Sequence, residues 1–337
     1  MGADIIPYDP YHPHLGYTLL ITCLAWISVG VYSRSFLRRS PHTRTILYAL
    51  AIVLPIYAEA TAFVINRLRP EPDTPIGYVL THIHAHVIQR IPIDSFLSPT
   101  VGEVVLIVLT GLIIGSLARF LIGAYQLNRA LVSAVPIART EHAALVADLL
   151  ATDTARTHKL PEIFVSDVDA PLAFTAGMLF PRIYITNSLL ELLTQDEMIG
   201  VLCHEWAHVL RRDNLWNWLI SLLRDLSWFL PGSHIAWHSM VASQDEACDA
   251  LAASMTRQPL ALARALVKVA GAWNLPTPPL RTVNSFAHAS ATPRERVEQM
   301  IWLSGETVAL KRLVVIGAYA LAALLLLLAP LPALLGS

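Results

Sequence analysis

The chain has 337 residues, of which 55% are hydrophobic and 15% charged, with 24 basic residues against 25 acidic ones and a mean hydropathy of +0.52. Soluble domains carry about 25% charged residues, so this composition excludes a wholly soluble globular protein and a disordered one. The balanced charge excludes a basic field that would hold nucleic acid directly, and three cysteines do not make a disulfide framework.

Crossing a bilayer takes about 20 apolar residues in a helix, and four segments reach that length. They are approximately residues 15–36, 45–65, 101–125 and 313–335. The second is interrupted by Glu59, close enough to Arg67 to reach the outer surface, and the third carries Glu103 and Arg119 towards its ends. Residues 1–14 contain Asp4 and Asp9 and no Lys or Arg, which argues against a cleavable signal. The connection after the first span holds Arg34, Arg38, Arg39 and Arg44 and no acid. Basic loops stay in the cytoplasm, so the N-terminus and the 66–100 loop are expected outside. Lys311 and Arg312 flank the last span on the same cytoplasmic side. The expected organisation is a membrane region over 1–125, a cytoplasmic domain over 126–310, and a last span over 311–337 ending outside.

Within the cytoplasmic domain, a helix is expected from Thr140 to about His158, with Thr140 as its N-cap. Ile163 to Ser166 reads as a short strand. Phe174 to Thr186 reads as a hairpin turning at Gly177, with Arg182 to Thr186 as its second strand. Helices dominate from Leu189 onward, and Pro276, Pro278 and Pro279 mark a loop near 275–293.

The run His204-Glu205-Trp206-Ala207-His208 is an H-E-x-x-H motif on an apolar helix. Residues four apart share a helical face, so His204 and His208 can present imidazole nitrogens to one metal ion. Two imidazoles suit Zn2+, with a position left for water, and Glu205 stands where it can take a proton from that water. The chemistry implied is peptide-bond hydrolysis. The third ligand is expected from the acidic helix Gln244-Asp245-Glu246-Ala247-Cys248-Asp249, where either Asp245 or Glu246 qualifies. Asp249 shares a face with both and suits an acceptor that orients a ligand histidine through its other ring nitrogen.

His204-Glu205-Trp206-Ala207-His208 with Arg212-Asp213, followed by Ala247-Cys248-Asp249, resembles the integral-membrane metallopeptidases of the BlaR/MecR antirepressor type. The span layout resembles theirs too, as does the segment from Pro171 to Ile185 before the zinc helix. The related HtpX and CAAX-prenyl endopeptidase group shares the zinc helix but fits the span layout less well. The resemblance implies a mainly α, multi-span membrane protein carrying a cytoplasmic α+β zinc peptidase domain of gluzincin type. It implies a protein substrate, either a cytoplasmic transcriptional repressor or the chain itself. The ligand Glu of those families aligns with Asp245 here, with Glu246 one place later. The extracellular sensor domain of beta-lactam transducers has no counterpart expected after the fourth span. Membrane-protein quality control of the HtpX kind is the second reading, and a non-catalytic signalling scaffold is the third, which the intact Glu205 opposes.

An edge strand near Arg182 to Thr186, with Ile183, Tyr184 and Ile185, is expected to pair with an extended substrate. Cys203 and Cys248 are read as packing residues. The helix with Trp216, Trp218 and Trp228 reads either as a core helix or as one lying partly in the inner leaflet surface. His12, His14, His82, His84 and His86 belong to the outer face, where a surface role and a metal or pH sensor are the alternatives. Arg294, Arg296, His234 and His238 are candidates for holding substrate or its transition state, with capping and ion pairing as the alternative.

Overall fold

The computed structural model describes residues 14–37, 40–67, 99–151, 158–272, 294, 296–298 and 308–330. Among the described residues three long helices come first: α1 (His14–Ser35), α2 (Pro41–Arg67) and α3 (Pro99–Ala130). The chain then forms β1 (Val135–Pro136), two 3-10 turns, α4 (Ala144–Leu150), β2 (Ile163–Ser166), β3 (Ala173–Ala176), β4 (Arg182–Thr186) and α5 (Asn187–Leu192). It continues through α6 (Gln195–Arg211), α7 (Asp213–Leu226), α8 (Pro231–Thr256), α9 (Pro259–Ala272) and α10 (Val308–Leu328). Each of the four expected spans overlaps a described helix. Among the described residues two segments, Pro41–Thr61 and Ile107–Ala130, are long and apolar enough to cross a membrane, and Val314–Leu328 is a shorter apolar stretch. His12, His82, His84, His86 and the expected 275–293 loop lie outside the described residues.

The helix expected from Thr140 starts differently. Thr140 Oγ1 donates to Ile137 O at 2.8 Å, tying it to the preceding turn, and accepts from His142 N at 3.3 Å. The first turn is therefore a 3-10 turn, Glu141–Ala143, and the α-helix proper runs from Ala144 to Leu150.

The hairpin forms as expected around Gly177, whose φ is +101°. A Cβ there would fall 2.6 Å from Phe180 O, so glycine is required. The strand order is β1-β2-β4-β3, with β2 and β4 parallel and β3 and β4 antiparallel. Arg182 to Thr186 is therefore an interior strand, not an edge. Ile183 and Ile185 are fully buried in the core, and Tyr184 stacks between Phe164 and Phe174 at 5.4 and 5.5 Å. The hairpin was legible locally, but β2 pairs in parallel from outside it and takes the open side of β4.

Two cores form. One joins Ile163, Val165, Ile183 and Ile185 of the sheet to Val201, Leu202 and Trp206 of α6 and to Leu262 and Leu266 of α9. The other joins Ala25, Val29, Leu47, Ile52 and Leu54 of α1 and α2 to Ala318 and Leu325 of α10. Each large side chain buried in the first of these contributes roughly 1.5–3 kcal/mol. Helix α8 belongs to both: Ala236 and Met240 lie in the second core, Ala252 and Met255 in the first. The acidic residues of α8 fall between these halves, at the seam.

Candidate metal centre

Helix α6 is fixed at its start by a capping box, in which Glu197 accepts from Thr194 N at 2.9 Å, while Lys268 of α9 donates to Glu197 at 2.7 Å. Its end is set by Arg212, whose left-handed φ of 55° stops the helix and turns the chain into α7. That turn folds Asp213 back beneath the last turn of α6, where its Oδ2 lies 2.8 Å from His208 Nδ1. Arg211 donates to the same oxygen at 3.1 Å.

His204, Glu205 and His208 are all buried, on a helix whose other buried residues are mostly apolar. His204 turns Nδ1 to Asp249 Oδ1 at 2.9 Å, and Arg296 grips Asp249 with two bonds of 2.6 Å. Both histidines thus have their Nδ1 atoms held by carboxylates, leaving Nε2 of each turned to the other at 3.2 Å. Asp245 Oδ1 lies 3.7 Å from His208 Nε2, and one ligand atom each from His204, His208 and Asp245 all fall within 4.8 Å of one another.

These residues fit a zinc ion. Three electron-rich atoms converge in a buried space, and such a cluster needs a cation or a proton among them. Asp245 Oδ2 and Glu205 Oε1 are buried without a hydrogen-bond partner among the described residues. The electrostatics carry the same requirement. Burial drives His204 down to about 4, keeping it neutral, despite the opposing pull of Asp249. His208 stands well above its ordinary range: burial opposes its charge, but Cys248 and Asp213 around its Nδ1 outweigh that. A metal at Nε2 needs the neutral imidazole, so its binding would release any proton that His208 carries there.

Glu205 is pushed up to about 7, chiefly by burial, with His208 and the Thr175 hydrogen bond opposing. Thr175 of β3 donates to Glu205 Oε2 at 2.9 Å, and Asn214 holds the carbonyls of Thr175 and Gly177 at 3.0 and 3.3 Å. Burial also lifts Asp245 to about 6.

Of the two third-ligand candidates, the structure turns Asp245 to the histidines and Glu246 to Arg44 of α2, with which it forms an ion pair. Asp249 takes the place expected of it beside His204. Cys203 is buried in the core; Cys248 is equally buried, but its Sγ lies 3.4 Å from both His208 Nδ1 and Asp213 Oδ2. Arg294 is exposed and pairs with Glu298, whereas Arg296 is buried on Asp249. His234 bonds Trp228 O at the far end of α8, roughly 16 Å along the helix from Asp245. His238 is exposed two turns before Asp245. Three residues that matter to the geometry were given no role in the site from sequence: Thr175, Asp213 and Arg44. Asp213 alone had a local signal, five residues beyond His208 on a chain that must turn to reach it.

A family model described as BlaR1 peptidase M56 matches residues 20–300. Among curated proteins, the chain is 32% identical to a Protease HtpX homolog of Acidiphilium cryptum (strain JF-5), covering 32% of this chain and 50% of that protein. It is 42% identical to Protease HtpX of Legionella pneumophila (strain Corby), covering 17% of this chain and 21% of that protein. The chain spans half or less of the length of these relatives. The crystal structure of S. mikatae Ste24p overlays with a TM-score of 0.38 and 17% identity, over 74% of this chain and 66% of that one.

Proposed function

The chain belongs to the BlaR1 peptidase M56 family, and from that premise we propose that it is a zinc-dependent endopeptidase of the cell membrane, acting at the cytoplasmic face. The observation that carries this reading is the convergence of His204, His208 and Asp245 within 4.8 Å, beside a buried Glu205 with one unpartnered carboxylate oxygen.

In this reading His204, His208 and Asp245 hold the zinc. When bound, zinc would polarise the scissile carbonyl and make a nearby water more acidic. Asp249 and Asp213 keep the two imidazoles in the tautomer that offers Nε2. Glu205, with a pKa near neutrality, takes a proton from the water as its oxygen joins the carbonyl carbon. It then gives that proton to the amide nitrogen as the C–N bond breaks. Thr175 holds Oε2, so that Oε1 faces the work. An extended substrate adding to the sheet on the side of α6 would meet β3, the outer strand there, rather than β4. Asn214 already occupies the turn end of β3, which leaves the Ala173 end for pairing.

Four spans with both termini outside, and the peptidase domain inside, are the topology supported by Arg34, Arg38, Arg39 and Arg44. The family favours a regulatory substrate, such as a cytoplasmic repressor or the chain itself. The named HtpX relatives favour membrane-protein quality control as the second reading.

The test is zinc content and cleavage in detergent-purified protein. About one zinc per chain is expected, with Glu205→Gln keeping the metal while losing cleavage and retaining a trapped substrate. A repressor or the chain itself in the trap supports the first reading, and misfolded membrane proteins the second. Wild-type protein that holds no zinc after reconstitution, or Glu205→Gln protein that cleaves at the wild-type rate, overturns the proposal.

A further inference from the structure

Helices α7 and α8 form a hairpin whose turn, residues 227–230, lies far from the metal centre, and its neighbours fix its height. Gly232 packs so closely on Trp26 that a Cβ would fall 1.9 Å from the ring. Trp26 is near the middle of α1, and its indole N–H donates to Ala51 O at 2.9 Å. Ala51 lies three residues from the midpoint of α2 (Pro41–Arg67). Asp225, at the end of α7, accepts from Ser116 at 2.7 Å and pairs with Arg119, both within five residues of the midpoint of α3 (Pro99–Ala130). Contacts to three helices therefore place the turn near the middle of each.

We propose that the α7–α8 hairpin is re-entrant, entering the hydrocarbon of the bilayer from the cytoplasmic side and turning near the midplane, with lipid acyl chains as the partner of its outer face. This rests on the reading above that α1 to α3 cross a membrane. The dimensions agree. Fourteen helical residues from Asp213 to Leu226 rise roughly 21 Å, against about 15 Å for half of the hydrocarbon core. The metal centre then lies about one helical turn below the hydrocarbon edge. Trp216, just above Asp213, falls at the interface where tryptophan is favoured.

The chemistry of the turn suits lipid. Backbone groups in hydrocarbon must be satisfied internally, and here Ser227, Trp228, Leu230 and Ser233 all donate their N–H to preceding carbonyls. The hydroxyl of Ser233 is buried and donates to Leu230 O at 2.7 Å. Charged groups at that depth must be paired. Arg224 donates to Asp225 at 2.6 and 3.0 Å and lies over the Trp237 ring at 4.8 Å, while Asp225 also binds Ser116 and Arg119 of α3. The outer surface at the turn is mostly apolar: Trp228, Phe229 and Ile235 are 54%, 55% and 62% exposed, and the exposed His234 beside them is bonded to Trp228 O at 3.1 Å.

The experiment uses the full chain in phosphatidylcholine–phosphatidylglycerol vesicles. Cys23 is the exposed cysteine and is replaced by Ser; Cys203 and Cys248 are buried and stay. Single labels with an environment-sensitive fluorophore are placed through Phe229→Cys and Ile235→Cys. Ile114→Cys on α3 is the span reference and Asp196→Cys the aqueous one. Spin-labelled lipids carry the quencher either deep in the acyl chain or near the headgroup. The expected result is that labels at 229 and 235 lose more emission to the deep quencher than to the shallow one, as at 114, while 196 responds to neither. If 114 responds and 229 and 235 behave like 196, or are quenched most near the headgroup, the hairpin does not enter the hydrocarbon and the proposal falls alone. If 114 also behaves like 196, the membrane reading of α3 falls with it. Two labelled positions, one in the turn and one on α8, guard against one variant that fails to fold.

Discussion

Arg296 offers the sharpest single test of how the metal centre is held together. Its guanidinium is 1% exposed and makes two 2.6 Å bonds to Asp249, itself 2% exposed. Replacing it by methionine, Arg296→Met, keeps the volume filled but strands a buried carboxylate whose remaining partner is His204 Nδ1 at 2.9 Å. Breaking one side of a buried ion pair costs about 3–5 kcal/mol, whereas replacing both sides by uncharged groups is often nearly neutral. The double variant Asp249→Asn with Arg296→Met is therefore expected to recover at least about 2 kcal/mol of the single variant's loss. Zinc affinity should behave in the opposite order. Asp249→Asn, alone or in the double variant, removes the acceptor that orients His204 and should weaken zinc binding about 10–100-fold. Denaturant melts of the metal-free protein in detergent read the stability terms, and competition with a chromophoric chelator reads affinity. A cost below about 1 kcal/mol for Arg296→Met, far under that expected for a buried pair, would refute the reasoning. So would a double variant that simply adds the two losses or binds zinc as tightly as the wild type.

Other outcomes follow from the same geometry. Asp245→Ala should abolish stoichiometric zinc, while Glu246→Ala should keep it and cost about 1.5–3 kcal/mol, because Arg44 loses a largely buried charged partner; metal analysis and thermal melts of the two variants separate these roles. Thr175→Val removes a hydrogen bond to the ionised form of Glu205, so the acidic limb of the cleavage profile should move to higher pH with zinc content unchanged. Asp245 titrates near 6 when folded, above the ordinary Asp value of about 3.9. A raised carboxylate contributes stability that is full below about pH 4 and is lost as pH rises through 6. Metal-free wild type should therefore lose about 2–3 kcal/mol relative to metal-free Asp245→Asn between those limits, read from denaturation midpoints at each pH.

The parts of the site that were legible in sequence are those set by helical periodicity. His204 and His208 share a face because they are four apart, and Asp249 shares one with Asp245 for the same reason. Periodicity cannot choose between Asp245 and Glu246, adjacent residues about 100° apart around α8. What separates them is the element opposite each: α6 for Asp245 and the start of α2 for Glu246, with Arg44 202 residues away in sequence. The interior position of β4 failed to show for a similar reason. A hairpin announces itself through its turn, while the parallel partner β2 arrives through a connection that carries no local mark. Thr175 was invisible as a functional group, since a strand threonine is an ordinary residue until a buried carboxylate is found against it, and Arg296, a candidate for holding substrate, takes the ion-pairing alternative on Asp249.

Helix α8 has one half in the bundle core and the other in the peptidase core, with Asp245 and Asp249 at the join. An order of biogenesis is expected from this. The rod that carries two of the site's carboxylates packs on α1 and α2 along one half, and His42 and Arg44, at the start of α2, reach Arg211 and Glu246 directly. A nascent or mislocalised chain would then lack a formed metal site, so hydrolytic competence would begin with membrane insertion. Residues 126–310 produced alone are expected to bind zinc far more weakly than the full chain in detergent, and equal affinity in the two would show that the site assembles without the bundle.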